Sequence, residues 1–173
     1  MTKPRYGLLG ERLGHSFSKE IHEQLADYSY ELIELAPDDL PAFLQKKEFA
    51  ALNVTIPYKE TVLPFLDHID PRAQRIGAVN TIVNCGGLLY GYNTDFDGVA
   101  ALIAHSGVAV QDKTALVLGT GGTSKTVTAV LYALGAKAVL TASRSGKNGA
   151  LTYDEALRHT EVQLIFNTTP CGM

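Results

Sequence analysis

Polar side chains gathered at strand ends are where this chain could do chemistry. The segment Asn53-Val54-Thr55-Ile56-Pro57-Tyr58-Lys59 sets an amide and a hydroxyl on one face of a strand end, turns at Pro57 and then presents the Lys59 ammonium. Upstream, Ser16 and Ser18 flank Phe17 after His15, so two hydroxyls at i and i+2 can face one polyol from a loop. Ala78-Val79-Asn80-Thr81 and Gly91-Tyr92-Asn93-Thr94-Asp95 add amides, hydroxyls and a carboxylate. Each also has an ordinary reading. Ser18 suits a helix cap and Ser16 a turn, Asp95 alone reads as a cap, and a lysine is usually exposed. Taken singly, the two serines are read that way. The grouping at several strand ends is what argues for a site.

A second chemistry is written in Gly119-Thr120-Gly121-Gly122-Thr123-Ser124, which follows an apolar strand and opens a helix. Glycines let the turn tighten and let backbone amides approach a pyrophosphate, and the helix start adds free N–H donors and positive dipole. Ser124 stands where the strict pattern has its third glycine. The strand–turn–helix–strand frame favours nucleotide binding at Gly119, Gly121, Gly122 and Thr123, against the alternative of a purely structural turn. An NAD site places an acid roughly 20 residues beyond the glycines. Here Thr141-Ala142-Ser143-Arg144-Ser145-Gly146-Lys147 contains none. Arg144 can stack beside adenine and pair with a 2′-phosphate, Lys147 adds charge, and the hydroxyls of Ser143 and Ser145 can bond the same phosphate. NADP is therefore the expected cofactor; the alternative is a pair of solvated loop cations.

An alternation of strands and helices must position these groups. Apolar runs or alternations predict strands at Tyr6–Leu9, Tyr30–Leu35, Ala51–Thr55, Ala115–Leu118, Lys137–Ala142 and Val162–Phe166. Helical spacing follows Ser18, Pro37-Asp38-Asp39 and Thr123, with two short helical patterns at Glu60–Leu66 and Pro71–Ile76 and another helix at Phe96–His105. Val79–Asn84 and Leu88–Tyr92 flank Cys85-Gly86-Gly87 as a hairpin, and Thr152-Tyr153-Asp154-Glu155 has the form of a capping box. The pattern predicts an α/β protein with a largely parallel sheet carrying an antiparallel edge. The polar loop Val110-Gln111-Asp112-Lys113 after Gly107 marks the expected boundary, giving domains 1–107 and 108–173.

Composition excludes several classes. A hydrophobic content of 46% beside a formal net charge of -3 is incompatible with a disordered chain. No apolar run approaches the ~20 residues of a membrane span, and no signal-peptide core follows Met1-Thr2-Lys3-Pro4. Two cysteines make neither a disulfide framework nor a structural metal site. A pI near 5.9 gives no reason to expect nucleic acid or an anionic membrane as partner. The expectation is a soluble cytoplasmic protein without a metal.

His15-Ser16-Phe17-Ser18, Asn53 through Lys59, Gly77-Ala78-Val79-Asn80-Thr81, Gly91 through Asp95, Gly119-Thr120-Gly121-Gly122 and Asn167-Thr168-Thr169-Pro170-Cys171-Gly172-Met173 occur in that order. Together they resemble the shikimate dehydrogenases, from Tyr6 to Met173. The resemblance implies an N-terminal substrate-binding α/β domain followed by an NADP-binding Rossmann domain that is only partly present. It implies reversible hydride transfer between 3-dehydroshikimate with NADPH and shikimate with NADP, in the route to chorismate and aromatic amino acids. Ser16 and Ser18 would hold the substrate carboxylate, while Thr55, Asn80 and Asp95 would contact ring hydroxyls. Lys59 and Asp95 would be the catalytic pair, Arg144 would serve the 2′-phosphate, and Asn167, Thr168 and Thr169 would line the nicotinamide side. Arg12 and Ser143 depart from the family, which commonly has proline and asparagine there. Family members also continue past Met173, so a truncated chain with weak NADP binding, low activity and a tendency to self-associate is expected. A quinate- or NAD-using relative and a non-catalytic, substrate-binding paralogue are the competing expectations, and the resemblance admits a homodimer.

Overall fold

Alternate residues of β1 (Tyr6–Gly10) enter two different cores, which is why its sequence is an unbroken apolar run. Leu9 joins the large cluster of Leu40, Leu44, Leu52, Tyr58, Val62, Ile82 and Leu89. Leu8 instead packs with Leu13 and Tyr30. The computed structural model describes residues 5–147 and 149–171. Met1 to Pro4, and the Gly172-Met173 end of the last motif, lie outside the described residues.

The chain forms two units, Met1–Asn93 and Thr94–Met173. In the first, β1 is followed by α1 (Ser18–Leu25), β2 (Tyr30–Glu34), α2 (Leu40–Lys46), β3 (Ala51–Val54) and α3 (Tyr58–Thr61). Then come β4 (His68–Ile69), α4 (Pro71–Ile76), β5 (Thr81–Cys85) and β6 (Leu88–Tyr92). The sheet order is β2-β1-β3-β5-β6-β4. Five strands run one way and β5 alone runs against them, antiparallel to both β3 and β6. The reversed strand is therefore internal, not at the expected edge. Its placement matters for function: the start of β5 reaches the same sheet end as the carboxyl ends of β1, β3 and β6, with Thr81 opposite both Asn53 and Tyr92.

The two-residue β4 is too short to leave a periodicity, and the sequence reading passes over it. Backbone bonds from Asp67 N–H to Leu89 C=O (3.0 Å) and from Asp70 N–H to Gly91 C=O (2.9 Å) flank it. At the far end of β5, Asn84 fixes the register. Its Nδ2 donates to the carbonyls of Lys47 (2.8 Å) and Phe49 (2.9 Å), and its Oδ1 accepts from Gly87 N–H (2.8 Å).

The second unit contains α5 (Asp95–Ser106), β7 (Thr114–Leu118), α6 (Gly122–Ala133), β8 (Ala138–Ala142), α7 (Tyr153–Ala156) and β9 (Leu164–Asn167). Its sheet is parallel throughout, in the order β8-β7-β9. Ala115 and Val117 face one cluster with Ile103, Val127, Val130 and Leu131, whereas Leu116 faces Ala142 and Ala156. The expected boundary at 107/108 is displaced to 93/94. Phe96, Val99, Ala100 and Ile103 bury the apolar side of α5 in the core of the second unit, so that helix belongs with β7 and α6. The polar loop taken for a linker is a turn inside that unit, with Lys113 N–H bonded to Val110 C=O at 3.1 Å. The capping box at Thr152 forms as expected: Glu155 N–H donates to Thr152 Oγ1 (3.2 Å) and Thr152 N–H to Glu155 Oε2 (2.7 Å).

Candidate functional site

The loop leaving β1 is held from below before it presents any serine. Leu13 N–H donates to Glu34 Oε1 at 2.6 Å, and Ser16 N–H donates to Leu13 C=O at 2.9 Å. Ser16 Oγ then accepts from Ser18 N–H (3.2 Å) and donates to Ser18 Oγ (3.0 Å). The two hydroxyls lie together, half-buried, while Phe17 between them is 75% exposed. This corrects the helix-cap reading of Ser18: it is the first residue inside α1, and the Ser16 hydroxyl meets its amide.

Thr55 sits just past β3, its N–H bonded to Leu9 C=O at 2.9 Å, and its carbonyl accepts from Tyr58 N–H at 2.9 Å. The Ile56–Pro57 peptide is cis. Tyr58 is 1% exposed and donates its hydroxyl to Leu35 C=O at 2.5 Å. Next to this anchor, Lys59 is half-buried and its carbonyl accepts from Val79 N–H at 2.8 Å. That same contact brings the α3 turn beside Asn80, which is buried. Asn80 N–H donates to Tyr92 C=O (3.0 Å), its carbonyl accepts from Val54 N–H (2.8 Å), and its Oδ1 accepts from Thr81 Oγ1 (3.2 Å). Ser16, Ser18, Thr55, Lys59 and Asn80 thus gather at one end of the first sheet. Their chemistry is two hydroxyls, a third hydroxyl, an ammonium and an amide, which suits a compact polyhydroxylated anion.

Asp95 is carried by the second unit. It is half-buried in the first turn of α5, where Thr94 occupies the cap position without a side-chain capping bond. It is therefore not the N-cap that the residue alone suggested.

At the carboxyl ends of β7, β8 and β9 lies the second group of candidates. Gly119 has φ +110°, and a Cβ there would fall 2.7 Å from Thr168 Oγ1. Thr168 closes over this turn, with both its N–H (2.9 Å) and its hydroxyl (2.6 Å) bonded to Leu118 C=O. Gly121 differs: its backbone is ordinary, and a Cβ would meet nothing within 4 Å. Packing does not demand a glycine there, but open space above an uncapped helix start is what a pyrophosphate requires. Ser124, in place of the third glycine, is 2% exposed and donates to Gly119 C=O at 2.6 Å. The helix is tied to its turn by a hydroxyl. Gly119→Ala should destabilise the second unit by about 1–3 kcal/mol through its left-handed backbone and the Thr168 contact, whereas Gly121→Ala should leave thermal unfolding nearly unchanged and weaken nucleotide binding. Parallel melts and NADP titrations of the two variants check this.

After β8, Ser143 Oγ accepts from Gly146 N–H at 3.2 Å, which shapes the turn and leaves the hydroxyl proton available as a donor. Arg144 and Lys147 are exposed beside it. Asn167 and Thr169 organise their own loop: Asn167 Oδ1 accepts from Thr169 N–H (3.0 Å) and Thr169 Oγ1 (2.7 Å), and Asn167 Nδ2 donates to Cys171 C=O (3.0 Å). An amide-lined turn, an open helix start and an exposed arginine fit a phosphorylated dinucleotide. Among the described residues, no group of three or more His, Cys, Asp or Glu could hold a metal, and no helix is long and apolar enough to cross a membrane.

Sequence reasoning missed Tyr58 and Tyr30 as supports of the site. Each hydroxyl finds its partner 23 residues away in sequence, which no local spacing announces.

Known proteins share this sequence and fold. The profile of the shikimate dehydrogenase substrate binding domain matches residues 8–82. The NADP(+) shikimate dehydrogenase of Clostridium beijerinckii is 36% identical over 184 residues, covering 97% of this chain and 68% of that protein. That of Halothermothrix orenii is 42% identical over 153 residues, covering 83% of this chain and 53% of its own. Among solved structures, shikimate dehydrogenase 1 from Peptoclostridium difficile superposes with a TM-score of 0.88 at 37% identity, covering 98% of this chain and 68% of that one. The Thermus thermophilus shikimate 5-dehydrogenase in complex with NADP(H) and shikimate gives 0.82 at 32% identity, covering 96% and 68%. The chain belongs to the shikimate dehydrogenase family.

Proposed function

We propose that this protein is an NADP-dependent shikimate dehydrogenase that interconverts 3-dehydroshikimate and shikimate on the route to chorismate and the aromatic amino acids. The first unit binds substrate and the second binds NADP. What supports the reading above all is Lys59, half-buried and pinned through Val79 beside Asn80 at the polar end of the first sheet. Ser16 and Ser18 hold the substrate carboxylate with paired hydroxyls, and Thr55 and Asn80 take ring hydroxyls. Bound NADPH supplies the hydride. A ketone accepting hydride develops alkoxide charge and must gain a proton, which the Lys59 ammonium donates at the reacting oxygen. Asp95 is the carboxylate assigned to the reacting hydroxyl. Gly119, Gly121, Gly122 and Thr123 offer backbone donors to the pyrophosphate, and Ser143, Arg144 and Lys147 read the 2′-phosphate. Asn167, Thr168 and Thr169 form the loop beside the nicotinamide. The reading places the protein in the cytoplasm, and size-exclusion chromatography decides between monomer and homodimer.

Shikimate-dependent formation of NADPH, followed by absorbance with excess protein over substrate, tests the proposal. Quinate and NAD serve as comparison arms. Shikimate with NADP should give the fastest reaction. No reaction in any arm, together with no calorimetric binding of shikimate, would sink it.

A further inference from the structure

Tyr30 opens the edge strand β2, yet it is 2% exposed. Charges from α1 hold its backbone: Lys19 Nζ donates to its carbonyl at 2.9 Å, and Glu23 Oε1 accepts from its N–H at 3.1 Å. The His22 imidazole lies flat against its ring, 3.9 Å away and 8° from parallel. Beyond the ring, the phenol donates to Asn53 Oδ1 at 2.6 Å. That bond fixes which way the Asn53 amide faces, so Nδ2 points to Thr81 Oγ1 at 3.4 Å. The Thr81 hydroxyl, receiving there, donates to Asn80 Oδ1 at 3.2 Å. Every step runs the same way, donor to acceptor, from Tyr30 to Asn80. The Thr81 bond thereby holds the Oδ1 side of the Asn80 amide toward β5.

We propose that Tyr30 is a positioning residue of the substrate site, acting through Asn53 and Thr81 to set the orientation of the Asn80 amide and linking it to α1, which carries Ser18. The inference rests on the shikimate reading of this site and extends it. Burial, with the Tyr28 phenol adding to it, raises the Tyr30 pKa above that of an ordinary tyrosine. The phenol therefore stays protonated and keeps its donor role across the neutral range.

The test uses the chain itself, by calorimetric titration of shikimate into the parent, Tyr30→Phe, Thr81→Val and the double variant. Tyr30→Phe keeps the ring against His22 and removes only the hydroxyl. Each single variant should weaken shikimate binding about three- to tenfold, the range of one net hydrogen bond, with NADP affinity unchanged. The double variant should lose no more than the worse single, because both changes cut one chain. In ¹⁵N spectra without ligand, the Asn80 side-chain amide resonances should shift in both singles. Binding by Tyr30→Phe within 1.5-fold of the parent, a double loss equal to the product of the singles, or loss of the folded spectrum in Tyr30→Phe would each overturn the inference while leaving the shikimate reading intact. A parent chain that binds no shikimate would remove both.

Discussion

Lys59→Ala is expected to slow shikimate oxidation by about 10²–10⁴-fold, the usual contribution of a positioned proton donor or acceptor. The change should fall on turnover, with the dissociation constant for NADPH within twofold of the parent. The reason is positional. Tyr58 is anchored through its hydroxyl to Leu35 and Lys59 through its carbonyl to Val79, so the backbone that carries the ammonium is held in place. Alanine keeps both anchors and removes the ammonium. Single-turnover absorbance with excess protein reads slow reactions directly, and circular dichroism confirms an intact fold. A rate within threefold of the parent would mean that another group moves the proton.

Arg144→Ala is expected to weaken NADP about tenfold at low salt while leaving NAD within twofold. A charge-assisted bond to phosphate is worth about 1.5–3 kcal/mol when shielded. Arg144 is exposed, so solvent screening holds the effect to the lower end. Raising ionic strength should shrink the difference between parent and variant. Ser143 and Lys147 remain in the variant, and they keep part of the preference. Equal losses for both cofactors would show that Arg144 meets a feature common to them, such as adenine or the pyrophosphate.

Local chemistry was legible in the sequence, and pairing across the sheets was not. The glycine turn at 119–122, the Thr152 capping box and the Cys85-Gly86-Gly87 hairpin turn each depend on neighbours within five residues. They form where the spacing puts them. The internal position of β5 and the existence of β4 depend on which strands meet, and alternation says nothing about partners. The domain boundary failed for the same reason: α5 looks like the end of the first half until its apolar side finds α6. Ser18 was misassigned because it follows a loop and precedes a helix, the ordinary setting of a cap, whereas Ser16 does sit in a turn. Only the Ser16 hydroxyl, bonded to the Ser18 amide and hydroxyl, shows that the two lie together.

Asn84 holds β5 at the end of the strand remote from Asn80. Asn84 lies four positions beyond Asn80, about 13 Å of extended chain at ~3.3 Å per residue. The strand works as a ruler whose zero mark is set by the Lys47, Phe49 and Gly87 bonds. One inserted residue between Thr81 and Asn84 would turn Thr81 to the opposite face, and two would restore the face but overshoot the Asn53 partner by a full pleat. The glycine turn beyond Asn84 lies outside the measured length. Residues added at Gly86 would lengthen the hairpin tip at the cost of the Gly87 bond, but the Lys47 and Phe49 bonds would still hold Asn84 and leave the Asn80 end at its original gauge, so this tip is where a reporter group or tether could be built in.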